Sequence, residues 1–300
     1  MVDLKVNFLG KEFKNPVISA SGTFGFGEEY EEIFEVEKLG GICSKGLTLH
    51  PKEGNEGIRI WETPMGLMNS IGLQNPGVKS FISREINIMK KYNTNIIVNL
   101  GGNTEKEYIQ GMELLNESNI DIIELNISCP NVKQGGMAYG IKSGTAYDIV
   151  KKCCNISKKP LMVKLSPNAE NIGDMAKACE AGGADALSLV NTFSGMAVDI
   201  YNKKPVFNNI YAGLSGPAVK PIALRMVHQA RQNVKIPICG IGGISSGKDA
   251  LEFIMVGASL IQIGTANFTK PDICLDIIKE IEEFLEKENI KDINDIVGII

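Results

Sequence analysis

The sequence predicts an α/β fold closed into a (βα)8 barrel, on three observations. Eight short runs rich in β-branched residues recur along the chain, each followed by a longer segment of helical pattern. The runs are continuously apolar rather than alternating, as suits strands buried on both faces of a parallel sheet. The glycine fingerprint that an open doubly wound sheet carries after its first strand is missing.

The predicted strands are Val17–Ala20, Gly41–Lys45, Asn95–Leu100, Ile122–Asn126, Leu161–Leu165, Ala186–Val190, Ile238–Gly240 and Leu260–Ile263. Helical patterns fall between them at Lys106–Ser118, Ala146–Ser157, Ile172–Ala181, Pro221–Gln232 and Lys248–Val256. The stretch 170–183 has apolar residues at helical spacing and ends on two glycines, a helix stop. Right-handed crossovers close eight such units into a barrel. Residues 4–14 alternate around Leu9-Gly10-Lys11 and read as a β-hairpin plugging the bottom of the barrel. Residues 46–80 and 192–220 read as long loops on the C-terminal face, where barrel enzymes do their chemistry.

Bulk properties fit one barrel over residues 1–300, since such barrels run to about 250 residues or more as one domain. A net charge of −4 leaves no basic excess for nucleic acid or an anionic membrane. Seven cysteines are scattered without a CxxC pair or Cys/His cluster, so no metal or iron–sulfur ligation is expected on this chain, and the thiols read as reduced and cytoplasmic. The N-terminus has no signal-peptide pattern, and no apolar run approaches the ~18 residues of a membrane span.

Three groups of residues carry chemistry. ICGIGGISSGK (238–248) follows the seventh strand and IQIGTA (261–266) the eighth. Paired loops at the last two strands form a recurrent phosphate site, in which backbone N–H groups converge where glycine allows close approach. Gly242, Gly243, Gly264 and Thr265 are the phosphate candidates; one loop alone would fit a tight turn as well as a site, and the pairing on adjacent strands favours the site. Lys45, Asn99, Asn126, Lys164 and Asn191 stand in or at the ends of successive strands, on one rim. Lys164, inside LMVKL, would be costly to bury without an anion, which a phosphorylated planar cofactor would supply. Cys129 opens a loop directly after the fourth strand, and Gly135-Gly136 beyond it could hinge a lid over residues 130–140. The other cysteines (Cys43, Cys153, Cys154, Cys179, Cys239 and Cys274) read as inert small hydrophobes. The only histidines are His50, in a loop, and His228, in a predicted helix, so Cys129 is the best base or nucleophile.

At these residues the chain resembles the catalytic subunit of class 1B dihydroorotate dehydrogenases, the NAD-linked type, from Asn15 to about Phe268. The matching segments are NPVISASGTFGFG (15–27), MNSIGLQNPG (68–77), ELNISCPNVKQGG (124–136), VKLSPN (163–168), GLSGPAVKP (213–221) and the two glycine loops. MNSIGLQNPG and NISCPN together are specific; the glycine loops alone would fit many phosphate-binding barrels. Class 2 enzymes carry serine in place of Cys129 and an N-terminal membrane-binding extension. Class 1A enzymes match less well across SIGLQNPG and GTANF.

The resemblance implies FMN at the barrel mouth, its phosphate held by Gly216, Gly242, Gly243, Gly264 and Thr265. Around the flavin ring it places Ser21, Lys45, Gly46, Asn99, Asn126, Lys164 and Val190. Substrate contacts carry over to Lys45, Asn69, Ser70, Ile71, Gly72, Leu73, Asn126, Asn191 and Thr192. Cys129 becomes the base that takes the C5 proton of dihydroorotate while hydride leaves C6, a step in pyrimidine biosynthesis. The resemblance further implies a partner subunit carrying FAD and a [2Fe–2S] cluster that passes electrons to NAD+, in a heterotetramer built on a catalytic homodimer. Three other readings stay open on residues alone: an FMN barrel acting on uracil-like dihydropyrimidines, a flavin-free phosphate-binding isomerase, and a non-enzymatic binding protein.

Overall fold

The computed structural model describes residues 2–128 and 136–300. In chain order its strands are β1 (Val6–Phe8), β2 (Lys11–Phe13), β3 (Val17–Ser19), β4 (Gly41–Cys43), β5 (Ile60–Thr63), β6 (Gly66–Asn69), β7 (Asn95–Leu100), β8 (Ile122–Asn126), β9 (Leu161–Lys164), β10 (Ala186–Leu189), β11 (Phe193–Met196), β12 (Val198–Asp199), β13 (Lys204–Pro205), β14 (Tyr211–Ser215), β15 (Ile238–Ile241) and β16 (Leu260–Ile263). Eight of them, β3, β4, β7, β8, β9, β10, β15 and β16, pair in parallel in that order, and β16 closes back on β3. These are the eight strands the apolar runs predict, each within a residue or two of its expected bounds.

Almost every residue of these eight strands is buried, because the outer face meets helices and the inner face meets the barrel interior. Covering helices follow at Glu105–Asn116, Ser143–Ile156, Ile172–Ala181, Lys220–Arg231, Gly247–Met255 and Ile273–Lys287. Several begin where polar caps dictate. The side-chain oxygens of Thr104, Asn171 and Ser246 accept from the backbone N–H groups of Glu107, Asp174 and Asp249, satisfying donors that a helix start leaves unpaired.

The N-terminal hairpin forms as the alternation predicts, with Leu9 and Gly10 at positive φ in its turn. Its bonds place it at the N-terminal end of the barrel. Asn95, the first residue of β7, donates to the Glu12 carbonyl at 2.9 Å, and Lys11 pairs with Asp121, just before β8, at 2.8 Å. Phe8 and Phe13 turn inward, fully buried and edge-to-face at 6.1 Å, and close the barrel floor.

The two long connections differ from the expectation of loops. Residues 46–80 supply β5 and β6, residues 192–220 supply β11 and β14, and the four pair antiparallel in the order β11-β14-β6-β5. This second sheet sits over the C-terminal mouth of the barrel and roofs it. Its strands are short and only partly buried, and the β14–β6 pairing joins segments far apart in sequence, so no local pattern marks it.

Below the roof, an ion-pair network ties two helix starts together. Lys220 Nζ donates to Asp249 Oδ1 at 2.7 Å and Glu252 Oε2 at 2.8 Å, and Asp249 Oδ2 accepts from Ser245 N and Oγ, each at 3.0 Å. Burial alone would push the Asp249 carboxyl up, but the bonds from Lys220, Ser245 and Ser246 outweigh it and hold the group below the ordinary carboxylate range. Burial works against the Lys220 ammonium too, and its two carboxylate partners again prevail, raising its pKa.

Two outcomes follow. Phe13→Ala empties the floor plug and lowers unfolding stability by about 3–5 kcal/mol in a denaturant titration; a loss under about 1 kcal/mol would mean the hairpin does not seal the core. Asp249→Asn lowers the melting temperature at neutral pH. Because the folded pKa of Asp249 is depressed, its stabilisation is present above the unfolded value of about 3.9 and is lost as pH falls through the folded one. The gap between variant and wild type therefore closes as pH drops below about 4; a gap that stays constant from neutral to acid would contradict the pairing.

Candidate functional site

Side chains alternate along a barrel strand, so residues two apart on β8 share the interior. Glu124 and Asn126 are such a pair, and Glu124 is completely buried inside the barrel. Its Oε1 accepts from Ser188 Oγ at 2.8 Å and Gln262 Nε2 at 2.7 Å; its Oε2 accepts from Asn99 Nδ2 at 2.5 Å and lies 3.5 Å from Lys164 Nζ. Burial raises the pKa of this carboxyl, but the Lys164 ammonium and the bonds from Asn99, Gln262 and Ser188 overcome that and hold it below the ordinary value. The buried lysine that the sequence singles out therefore has its anion within the chain.

A hydrogen-bond chain climbs from this carboxylate. Asn126 Nδ2 donates to Asn99 Oδ1 at 3.2 Å, Ser128 Oγ donates to Asn126 Oδ1 at 2.9 Å, and Asn191 Nδ2 donates to Ser128 Oγ at 2.8 Å. Ser21, two residues past the end of β3, accepts from Lys164 Nζ at 3.3 Å. Of these, Ser21, Asn99, Asn126, Lys164 and Asn191 line one side of a cavity of about 740 Å³, within the usual size of ligand sites.

The opposite wall is made of glycine. Gly242 and Gly243 follow β15 with φ of 129° and 75°, a region side chains rarely adopt. A Cβ at Gly242 would come within 2.6 Å of the Ala223 side chain, and one at Gly243 within 2.7 Å of the Lys220 nitrogen. Gly264 and Thr265 follow β16, and Thr265 Oγ1 bonds Ser215 Oγ at 2.7 Å, fastening this loop to the roof. Gly216 stands beside them at the end of β14. The roof itself contributes Glu62 through Leu67 to the cavity lining.

Of the residues the sequence singles out, the cavity gathers Ser21, Lys45, Gly46, Asn69, Ile71, Gly72, Leu73, Asn99, Asn126, Lys164, Val190, Asn191, Thr192, Gly216, Gly242, Gly243, Gly264 and Thr265. Ser70 departs from the expectation. It is buried outside the lining, with its hydroxyl accepting from Asn55 Nδ2 at 2.9 Å and near Asn209 Nδ2 at 3.4 Å, since the β6 edge turns it away. Cys129 and the first part of the 130–140 segment lie outside the described residues. Sequence reasoning missed Glu124 and Gln262, each a polar residue set in an apolar strand, the same signal that marked Lys164.

The remaining cysteines behave as small core residues. Burial pushes the thiols of Cys153, Cys154, Cys179 and Cys274 up to about 12, and Cys43 and Cys239 rise further through burial and the nearby Glu124 carboxylate. Among the described residues no cluster of three or more His, Cys, Asp or Glu could hold a metal ion, and no helix is long and apolar enough to cross a membrane.

Comparison with known proteins agrees with this architecture. A crystal structure titled as that of a dihydroorotate dehydrogenase from Eimeria tenella in complex with ferulenol superposes with a TM-score of 0.85, covering 99% of this chain and 88% of that one. At 21% identity it speaks to the fold alone. Relatives named dihydroorotate dehydrogenase B (NAD+), catalytic subunit, are much nearer in sequence. The one from Petrotoga mobilis is 57% identical over all of both chains. That from Brachyspira hyodysenteriae is 51% identical over 99% of each. That from Thermoanaerobacter pseudethanolicus is 50% identical over 99% of this chain and 98% of its own. The family model for dihydroorotate dehydrogenase matches residues 3–285, and the chain belongs to the dihydroorotate dehydrogenase family.

Proposed function

We propose that this chain is the FMN-binding catalytic subunit of an NAD-linked dihydroorotate dehydrogenase, oxidising (S)-dihydroorotate to orotate in pyrimidine biosynthesis. The observation that carries the reading is a single cavity with a polar, lysine-bearing floor on one side and paired glycine loops on the other. The residues suit FMN. Gln262 Oε1 is a buried acceptor with no partner, the floor offers the Lys164 ammonium beside it, and the glycine loops form a close backbone cradle for an anion. A planar ring with a mixed donor and acceptor edge, joined to a phosphate, matches both ends.

In this reading residues 1–300 act as one FMN-binding domain. Gly216, Gly242, Gly243, Gly264 and Thr265 hold the phosphate, while Ser21, Lys45, Gly46, Asn99, Asn126, Lys164 and Val190 surround the ring. Bound FMN supplies a two-electron hydride acceptor. Lys45, Asn69, Asn126, Asn191 and Thr192 orient the substrate by its carboxylate and amide edges, and Ile71, Gly72 and Leu73 close over it. Ser70, its hydroxyl and carbonyl bonded by Asn55 and its N–H by the Arg59 carbonyl, holds the start of the 71–73 turn in place and makes no direct contact with the substrate. Cys129 removes the C5 proton at its Sγ; an ordinary thiol pKa of about 8.5 needs only modest lowering to ionise at neutral pH. The relatives' name, catalytic subunit, supports a partner, and we assign to that partner the FAD and [2Fe–2S] cluster that relay electrons to NAD+. A catalytic homodimer within a heterotetramer, located in the cytoplasm, completes the proposal.

Adding dihydroorotate anaerobically to the yellow, FMN-loaded protein bleaches the flavin band, and dihydrouracil does so far more slowly. Faster bleaching by dihydrouracil would replace the substrate, and a protein that cannot be loaded with FMN would replace the function. Cys129→Ser keeps FMN but loses about 10²–10⁴-fold in turnover at neutral pH, with partial recovery in alkali as the weaker acid ionises. An unchanged neutral rate would remove Cys129 from the mechanism.

A further inference from the structure

Glu124 does not line the cavity, yet the polar floor converges on it. Cys43, Glu124, Ser188 and Gln262 come from β4, β8, β10 and β16, alternate strands of the closed barrel, and so form one of its interior layers. Asn99 and Lys164, from the neighbouring strands β7 and β9, reach the same carboxylate from the cavity side. A barrel layer of this kind is ordinarily filled by bulky branched apolar residues. A fully buried carboxylate in its place calls for a function other than packing.

An ionised carboxylate can only accept hydrogen bonds. Asn99 must therefore turn Nδ2 towards Glu124, which leaves its Oδ1 to accept from Asn126 Nδ2. Asn126 must then offer Oδ1 to Ser128. Gln262 gives Nε2 to Glu124, and its Oε1 is left as a buried acceptor without a partner. Reversing any of these amides sets two acceptors or two donors against each other, which costs about 1–3 kcal/mol for each buried group left unsatisfied. Lys164, buried and 3.5 Å away, balances the carboxylate's charge.

We propose that Glu124 is a positioning residue for the flavin site: its carboxylate fixes the direction of the Asn99, Asn126 and Gln262 amides and neutralises Lys164. The floor then meets its ligand with a set pattern of donors, one free acceptor and no net charge from the Glu124–Lys164 pair. The proposal rests on the reading of the cavity as a flavin site. It goes beyond that reading by placing control of the flavin's charge in a residue that never touches it.

The test is the two-electron midpoint potential of the FMN-loaded protein, followed by its absorbance in a redox titration. Glu124→Gln preserves shape and removes the charge. The unbalanced Lys164 ammonium then favours the negative charge that reduction adds, and the reduction equilibrium shifts at least tenfold towards reduced flavin, an upward move of about 30 mV. Lys164→Met gives the opposite shift, and the double variant Glu124→Gln/Lys164→Met recovers at least tenfold of it. That second comparison needs Lys164→Met and the double variant to fold but not the single glutamine variant, so it stands where only the latter fails; the double variant leaves no unpaired buried charge. Equal potentials in wild type and Glu124→Gln, or in Lys164→Met and the double variant, would reduce Glu124 to a packing residue while leaving the flavin reading intact. A wild-type protein that takes up no FMN would overturn both.

Discussion

The structure of the site depends on one buried ion pair, Glu124 with Lys164, inside the barrel. Taking two charges out of water costs several kcal/mol for each ion, and attraction offsets this only where the remaining bonding capacity is also filled. Both carboxylate oxygens are indeed filled, by Ser188, Gln262, Asn99 and Lys164. Removing one partner of such a pair is expected to cost about 3–5 kcal/mol, because the other is left charged and uncompensated. The pair therefore constrains the rest of the interior and is not one contact among many.

From that constraint the polar half of the cavity follows in order. The carboxylate sets Asn99, Asn99 sets Asn126, and Asn126 meets Ser128, the residue immediately before Cys129. The apolar layers beneath, sealed by Phe8 and Phe13, keep water from competing for these bonds. In the other half, the glycine loops present backbone to the cavity rather than charged side chains. Gly242 and Gly243 adopt conformations that a side chain resists, and Lys220 with Asp249 and Glu252 locks the loop that carries them. Between the two halves, the antiparallel roof contributes Asn69 and the 71–73 turn, so the cavity is partly covered on its solvent side as well.

Much of this was legible in the sequence, for identifiable reasons. The barrel strands showed themselves because burial on both faces leaves a continuous apolar run, and strand–helix alternation repeats eight times. Lys164 stands out because a lysine in LMVKL contradicts that pattern. Glu124 in IIELN and Gln262 in LIQI contradict it equally, but their partners lie on other strands 40 and 138 residues away, so the charge looked available to a ligand when it was already matched. The roof was hidden for a related reason: β6 and β14 find each other across 144 positions at Asn69 and Gly213, and neither has a periodicity of its own. Ser70 lies within the matched MNSIGLQNPG segment, and only the fold shows its hydroxyl turned towards Asn55.

Neutron diffraction from deuterated crystals of the FMN-loaded protein would reveal the proton positions around Glu124. A bare Glu124 carboxylate, three deuterons on Lys164 Nζ, and Asn99 and Gln262 amide nitrogens both facing Glu124 are expected. A deuteron on Glu124, or either amide turned with its oxygen towards the carboxylate, would contradict the role assigned to Glu124.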